Sequence, residues 1–176
     1  MNNLKYKELN NMYCHFLVAA QRNFTVTELS ERLDNTPTHD TFTRWLATDK
    51  LTPSLLYKAS QSLLGQSGDI LIDDTILDKS FGPNIGLSAW QYSGTRHELV
   101  NGIGLTTLLW CNSEIEKPEH VPVDYRIFDK SNDGKSKNEH TREMLKQAHV
   151  RGFSPEFVIF DSWYCANATL KFNRFI

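Results

Sequence analysis

The sequence predicts an α/β fold, a mixed sheet with helices, preceded by an all-helical domain. Three observations point there. Up to residue 66 apolar residues recur at three- and four-residue intervals, and three segments open on a threonine suited to capping. From Gly68 the pattern changes to short apolar runs and alternation. A helical stretch at 138–151 then separates the last two runs, as expected where parallel strands are joined through a helix. The domains are therefore drawn as 1–66 and 67–176.

In the front domain, Met12, Phe16, Leu17 and Ala20 predict a helix over roughly residues 4–21. Thr25 and Glu28 match a capping box, and Leu29 and Leu33 supply the apolar face of the short helix that follows. Asp34-Asn35 breaks it. Thr36-Pro37 predicts a restart, with the threonine as cap, Pro37 at the first helical position, and Phe42, Trp45 and Leu46 as the buried stripe. Thr52-Pro53 repeats the signal for a fourth helix carrying Leu55, Leu56, Ala59, Leu63 and Leu64, with Gly65 as its stop.

In the second domain, Ile70–Ile72 reads as a central strand, and residues 76–96, with Gly82-Pro83, Gly86 and Ser93-Gly94, as loop. Leu99–Trp110 reads as a second strand. Val121–Phe128 reads as a third, with Val121, Val123, Tyr125 and Ile127 on one face. Residues 130–137 form a polar turn, and 138–151 a helix buried through Met144, Leu145 and Ala148. Glu156–Phe160 is the next strand, and Cys165–Phe172 begins another helix.

A chain of 176 residues with 40% hydrophobic and 23% charged residues can bury a core, and nothing in it indicates global disorder. The net charge of −2 does not mark a strongly basic nucleic-acid binder. Cys14, Cys111 and Cys165 are widely spaced and show no zinc-like pairing, which favours a reduced, cytoplasmic setting. No apolar run is long enough for a signal core or a membrane span.

Two apolar runs end on aspartate: Ile70-Leu-Ile-Asp73-Asp74-Thr75 and Phe157-Val-Ile-Phe-Asp161-Ser162. Brought together on neighbouring strands, such carboxylates form part of a site for a hard divalent ion, which takes oxygen ligands, water and phosphate. The plainer reading is that they cap the next turn. Strand alternation puts Asp73 and Asp74 on opposite faces, so one of the two is the candidate ligand. Asp69 reads as a polar strand start.

Ile70-Leu-Ile-Asp-Asp-Thr75, Gln91-Tyr-Ser-Gly94, Pro122-Val-Asp-Tyr-Arg-Ile-Phe128 and Val158-Ile-Phe-Asp-Ser-Trp-Tyr164, in this order, resemble insertion-sequence transposases of the DDE superfamily over roughly residues 68–172. The resemblance implies a ribonuclease H-like fold, partial here, and metal-dependent DNA cleavage and strand transfer at transposon ends with Mg²⁺ or Mn²⁺. It assigns the first acid to Asp74 and the second to Asp161, as catalytic and metal-binding residues. The family's third acid is a glutamate on a downstream helix, and no position here matches it; Glu139 and Glu143 precede the second aspartate. The resemblance therefore predicts a C-terminally truncated transposase, inactive alone, whose partners are DNA and, in oligomers, further copies or full-length protein. A second class is a DNA-binding module that regulates transposition without cutting, and a third is a small nuclease with an unrelated third ligand.

The front helices are similar to the helix-turn-helix part of such proteins. The reading helix would be about 37–47, with Arg44 as the leading DNA contact and Thr38, Thr41 and Thr43 as weaker ones. Residues 1–50 carry six Lys or Arg and six Asp or Glu, so no electrostatic footprint accompanies it. Lys130, Lys135, Lys137, Arg142, Lys146 and Arg151 form a basic cluster that could track DNA phosphates but reads first as a solvated helix face. Trp163 and Tyr164 read as core residues and Cys165 as a buried helix residue. His97, His120 and His140 lack metal-ligand spacing.

Overall fold

A computed structural model describes residues 3–22, 24–48, 50–80, 85–113 and 119–172. The chain divides into two compact units, Met1–Leu51 and Thr52–Ile176. The sequence drew its boundary later, at 66, because the fourth helix looks like its predecessors. That helix belongs to the second unit, for reasons given below.

The first unit holds α1 (Asn3–Ala19), α2 (Val26–Arg32) and α3 (His39–Leu46). Leu9, Phe16, Ala20, Leu29, Phe42 and Trp45 form its core. Trp45 is met edge-on by Tyr6 at 5.8 Å and Tyr13 at 5.6 Å, an arrangement that adds to plain burial. Leu17 and Leu46, expected inside, are exposed. The Thr25 hydroxyl accepts from the Glu28 N–H, but Glu28 pairs with Arg32 rather than closing the capping box.

The break at Asp34-Asn35 is real: both residues adopt left-handed backbone, at φ 51° and 57°, which short polar side chains tolerate best. The restart falls two residues later than predicted. The Thr36–Pro37 peptide is cis, and the Pro37 carbonyl accepts the Ser30 hydroxyl. Thr38, with extended backbone, is the cap whose carbonyl accepts from Thr41 and Phe42.

The second unit is a five-stranded sheet with helices. Its strands are β1 (Gly68–Asp78), β2 (Ala89–Ser93), β3 (Glu98–Asn112), β4 (Glu119–Phe128) and β5 (Val158–Phe160). β1 lies antiparallel to β3 along the whole length of β1, from Gly68↔Asn112 to Asp78↔Gly102. On the other edge of β3, β2 pairs with residues 98–102 and β4 with residues 104–112. β5 runs parallel to β1, in register from Ile70↔Val158 to Ile72↔Phe160. The helices are α4 (Pro53–Ser60), α5 (Lys130–Asp133), α6 (Lys137–Val150) and α7 (Asn167–Phe172). An antiparallel β1–β3–β4 group with a parallel strand on the far edge of β1 agrees with the ribonuclease H-like expectation.

The core lies between one sheet face and α6: Ile70 and Ile72 of β1, Leu108 and Trp110 of β3, Val121 and Val123 of β4, and Met144, Leu145 and Ala148 of α6. Each fully buried aliphatic side chain contributes about 1.5–3 kcal/mol. Gly68 must be glycine, since a Cβ there would lie 2.4 Å from the Cys111 carbonyl oxygen. Helix α6 starts on a full capping box: Ser136 Oγ accepts from Glu139 N–H, and Glu139 accepts from Ser136 N–H at 2.8 Å.

Helix α4 starts as expected, with the Thr52 hydroxyl accepting from Leu55 N–H and proline at the first turn. Its inward face differs. The Ser60 hydroxyl donates to the Pro122 carbonyl of β4 at 2.7 Å, and Tyr57 and Leu64 pack on the core, while Leu55, Ala59 and Leu63 are exposed. These contacts tie α4 to the sheet.

Strand β4 breaks its predicted alternation. Leu108 pairs with Asp124 and Leu109 with Pro122, so Val123 is the extra residue of a bulge. Pro122, lacking an N–H, sits on this edge strand. The bulge turns Asp124 inward and Ile127 outward, against the sequence reading. Buried Asp124 takes Arg126, and Arg151 at 3.2 Å, while the Arg151 guanidinium lies 4.3 Å over the Tyr57 ring. Two elements read as irregular are ordered: β2, inside the predicted loop, and α5, inside the predicted turn. Gly82-Pro83 lies outside the described residues.

Candidate functional site

Strand β1 runs six residues beyond its last pairing with β5 at Ile72↔Phe160. Asp73 and Asp74 therefore stand in mid-strand rather than at a strand end, as read from the sequence. Asp161 follows Phe160 directly, so the register alone brings the two aspartate-bearing segments side by side. Asp73, Asp74 and Asp161 all line one cleft of about 900 Å³. Gln91, Tyr92 and Arg96 of the β2–β3 hairpin, Ser136, Lys137 and Asn138 at the start of α6, and Trp163 line it too.

The two neighbouring aspartates have different work. Asp73 is exposed, and its Oδ1 accepts the N–H of Asp74 at 2.8 Å. It satisfies backbone where β5 no longer runs alongside. Asp74 shares a face with Ile70 and Ile72, towards α6. Its side chain is 25% exposed, and Oδ2 accepts from Lys137 Nζ at 2.5 Å. Lys137 also lies 5.8 Å from the Phe128 ring centroid. Asp161 is exposed and accepts the Ser162 hydroxyl at 2.9 Å. Its carbonyl starts a 3-10 turn, Ser162–Tyr164, by accepting from the Tyr164 N–H.

That turn parts two aromatic residues that the sequence reading placed together in the core. Tyr164 is fully buried. Its hydroxyl lies beside Thr106 and Asp74 without meeting hydrogen-bond geometry to either. Burial holds its phenol far above the ordinary value; the Asp74 and Asp73 charges add to the rise and Thr106 opposes it. Thr106 is the register partner of Asp74, so the hydroxyl sits where β1 and β3 face each other. Trp163 points the other way and is 71% exposed in the cleft. Its neighbour Cys165 is also exposed, not buried.

The donor set is two carboxylates, hard oxygen ligands that suit Mg²⁺ or Mn²⁺. The Lys137 ammonium on Asp74 shows that a cation fits beside that carboxylate. Among the described residues no three His, Cys, Asp or Glu side chains gather in metal-holding geometry. The predicted basic cluster is not a free strip. Lys135 pairs with Glu143, which raises the lysine's affinity for its proton, and Lys137 pairs with Asp74. Arg142 donates to Thr169, and Arg151 is tied to Asp124. Lys146 is exposed, and the Lys130 side chain lies outside the described residues.

In the first unit, Thr38, Thr41 and Arg44 share α3 or its cap. Thr38 and Arg44 are exposed and Thr41 is half-buried. The Thr38 and Thr41 hydroxyls bond to each other at 3.1 Å, and Arg44 Nε donates to the Asp40 carbonyl. Sequence reasoning placed Lys137 only in the basic cluster and missed its pairing with Asp74, as it missed Arg96 in the cleft and the exposure of Trp163. The capping box at Ser136 was the available signal for Lys137, since it fixes the first residue of α6.

No curated protein and no solved structure matches the chain. A family model described as DDE superfamily endonuclease matches residues 2–173, nearly the whole length. With the mixed sheet and the aspartates of β1 and the β5 end on one cleft, the chain belongs to the DDE superfamily of endonucleases.

Proposed function

We propose that the chain acts on DNA as a transposase, with Asp74 and Asp161 as the metal-binding, catalytic carboxylates of phosphodiester cleavage and strand transfer. The observation that carries this reading is the β1–β5 register, which brings the Asp161 segment alongside the Asp73-Asp74 segment on one open cleft. Asp74 and Asp161 would hold a Mg²⁺ or Mn²⁺ ion, which when bound would supply Lewis acidity toward the scissile phosphate and activation of water. The protein's part is positioning. Asp74 is fixed in a strand paired along its length, and Asp161 by the 3-10 turn and the Ser162 hydroxyl. Tyr164, kept protonated by burial, lies beside Asp74. Trp163 and Arg96 face the cleft where a nucleic-acid strand would lie, one offering a stacking surface and the other positive charge. Arg96 is held by Asp78 at 2.8 Å. Thr38, Thr41 and Arg44 of the helical unit are proposed as further DNA contacts.

Mg²⁺ is commonly held by one or two carboxylates, with water and substrate phosphate completing its shell. Asp74 and Asp161 satisfy the protein's minimum share of that. The absence of a three-ligand group among the described residues favours a second reading, in which the chain occupies transposon-end DNA without cutting it and regulates transposition. Incubating the purified chain with supercoiled plasmid and Mn²⁺ or Mg²⁺ separates the two. Nicking that disappears in Asp74→Asn and Asp161→Asn supports the enzyme. Salt-dependent DNA binding without nicking supports the regulator, and neither binding nor nicking refutes both.

A further inference from the structure

We propose that Lys137 is an exchangeable counter-ion of the metal site: it holds Asp74 while the metal is away and turns to a DNA phosphate once the metal arrives. The inference rests on the assignment of Asp74 as a metal ligand. Four observations converge on it. Lys137 Nζ lies 2.5 Å from Asp74 Oδ2, so the ammonium stands on an oxygen that a divalent ion would take. The lysine side chain is only 17% exposed and the aspartate 25%, so water screens the contact less than it would a surface pair. The lysine is the first residue of α6, fixed by the Ser136–Glu139 capping box, so it is delivered to this place by a rigid element. Finally, Ser136, Lys137 and Asn138 all line the cleft, so an ammonium released from Asp74 remains within the cleft proposed to take DNA.

The chemistry of the two cations decides the order of events. A carboxylate that already carries an ammonium must lose it to coordinate a divalent ion through the same oxygen. An ammonium left beside a bound dication is repelled by it and attracted by phosphate. A four-carbon stem with free rotation lets Nζ make that move without shifting the helix. Metal-free, the pair neutralises a half-buried carboxylate; metal-loaded, the same lysine adds one phosphate contact.

The test uses the full chain with Lys137→Gln, Lys137→Met and Lys137→Arg, each checked for folding by circular dichroism. Mn²⁺ is titrated alone and free ion is read by electron paramagnetic resonance. Lys137→Gln keeps a hydrogen-bonding group beside Asp74 without its charge, and guards against a misfolded methionine variant. Loss of the competing ammonium is expected to tighten Mn²⁺ binding about fivefold in the glutamine and methionine variants, with the arginine variant staying near wild type. Duplex DNA binding is then measured with Ca²⁺ in place of Mn²⁺. The neutral variants are expected to bind more weakly, with the salt slope reduced by about one. Unchanged or weaker Mn²⁺ binding in both neutral variants, or an unchanged salt slope, overturns the inference. Asp74→Asn separates this from failure of the underlying assignment. If that variant binds Mn²⁺ as wild type does, or if wild type binds none, the assignment of Asp74 falls and Lys137 falls with it. If Asp74→Asn loses Mn²⁺ while the lysine variants are unchanged, only the exchange is wrong.

Discussion

Asp124→Asn tests the energetics of the sheet most directly. The bulge in β4 turns this carboxylate inward, where it is 1% exposed and accepts from its neighbour's N–H at 2.8 Å, from Arg126, and from Arg151 at 3.2 Å. Asparagine keeps the volume and one acceptor but removes the charge, leaving two guanidiniums facing a neutral group. Breaking a buried pair by removing one partner costs about 3–5 kcal/mol. Here the arginine side chains are 23% and 11% exposed, so water recovers part of the loss. An expected loss of about 3 kcal/mol is a large share of an ordinary stability of about 5–15 kcal/mol. It corresponds to a fall of roughly 10 °C in Tm. Urea unfolding followed by circular dichroism measures it. Arg151→Met supplies the second arm of a double-mutant cycle, with an expected coupling of about 1–3 kcal/mol to Asp124→Asn. A loss below about 1 kcal/mol, or strict additivity, would refute the reasoning.

Four other outcomes are expected. Gly68→Ala drives a methyl group into the Cys111 carbonyl and the Trp110 ring, so a loss of about 1–3 kcal/mol should appear in the same unfolding assay. Trp163→Ala, at an exposed position in the cleft, should lower affinity for single-stranded DNA by about 1–3 kcal/mol with Tm nearly unchanged. Hydrogen bonds from Ser136 hold Glu139 below its ordinary value of 4.5. A depressed carboxylate stabilises the fold above its unfolded pKa and loses that share as pH falls through the folded pKa. The Tm gap between wild type and Glu139→Gln should therefore be full near neutrality and close as the solution is acidified below about pH 4.5. Tyr164→Phe removes a buried hydroxyl that makes no hydrogen bond, so stability should change little; a large loss would show that the hydroxyl is partnered.

What the sequence revealed and what it hid follow from where each signal resides. Helix starts were legible where a hydroxyl stands before a proline or three residues before an acid, as at Thr52 and Thr25, because capping is local. Thr36-Pro37 carries the same letters and failed, because the Pro37 carbonyl and the Ser30 hydroxyl hold that turn from outside the helix. The strand bearing Asp74 was legible from its apolar start, but its length was not. Beyond Ile72, among the described residues, it pairs with β3 alone, and a ladder of backbone bonds leaves no mark in the side-chain pattern. The bulge at Val123 left no mark in the pattern, since the pairing partner decides it. Asp74 and Asp161 were found by motif order. The pairing of Lys137 with Asp74 was not, because an ion pair spanning 63 residues has no local signature.

The unequal lengths of β1 and β5 also have a consequence for motion. Past Ile72, among the described residues, β1 pairs on one side only, so every second amide from there to Asp78 turns to the open side. Those amides should exchange with deuterium far faster than their alternate neighbours, which are locked to β3. The Asp74 N–H, shielded by Asp73, should be the slow exception among them. The carboxylate proposed for catalysis thus stands on a ledge, firm along one edge and compliant along the other.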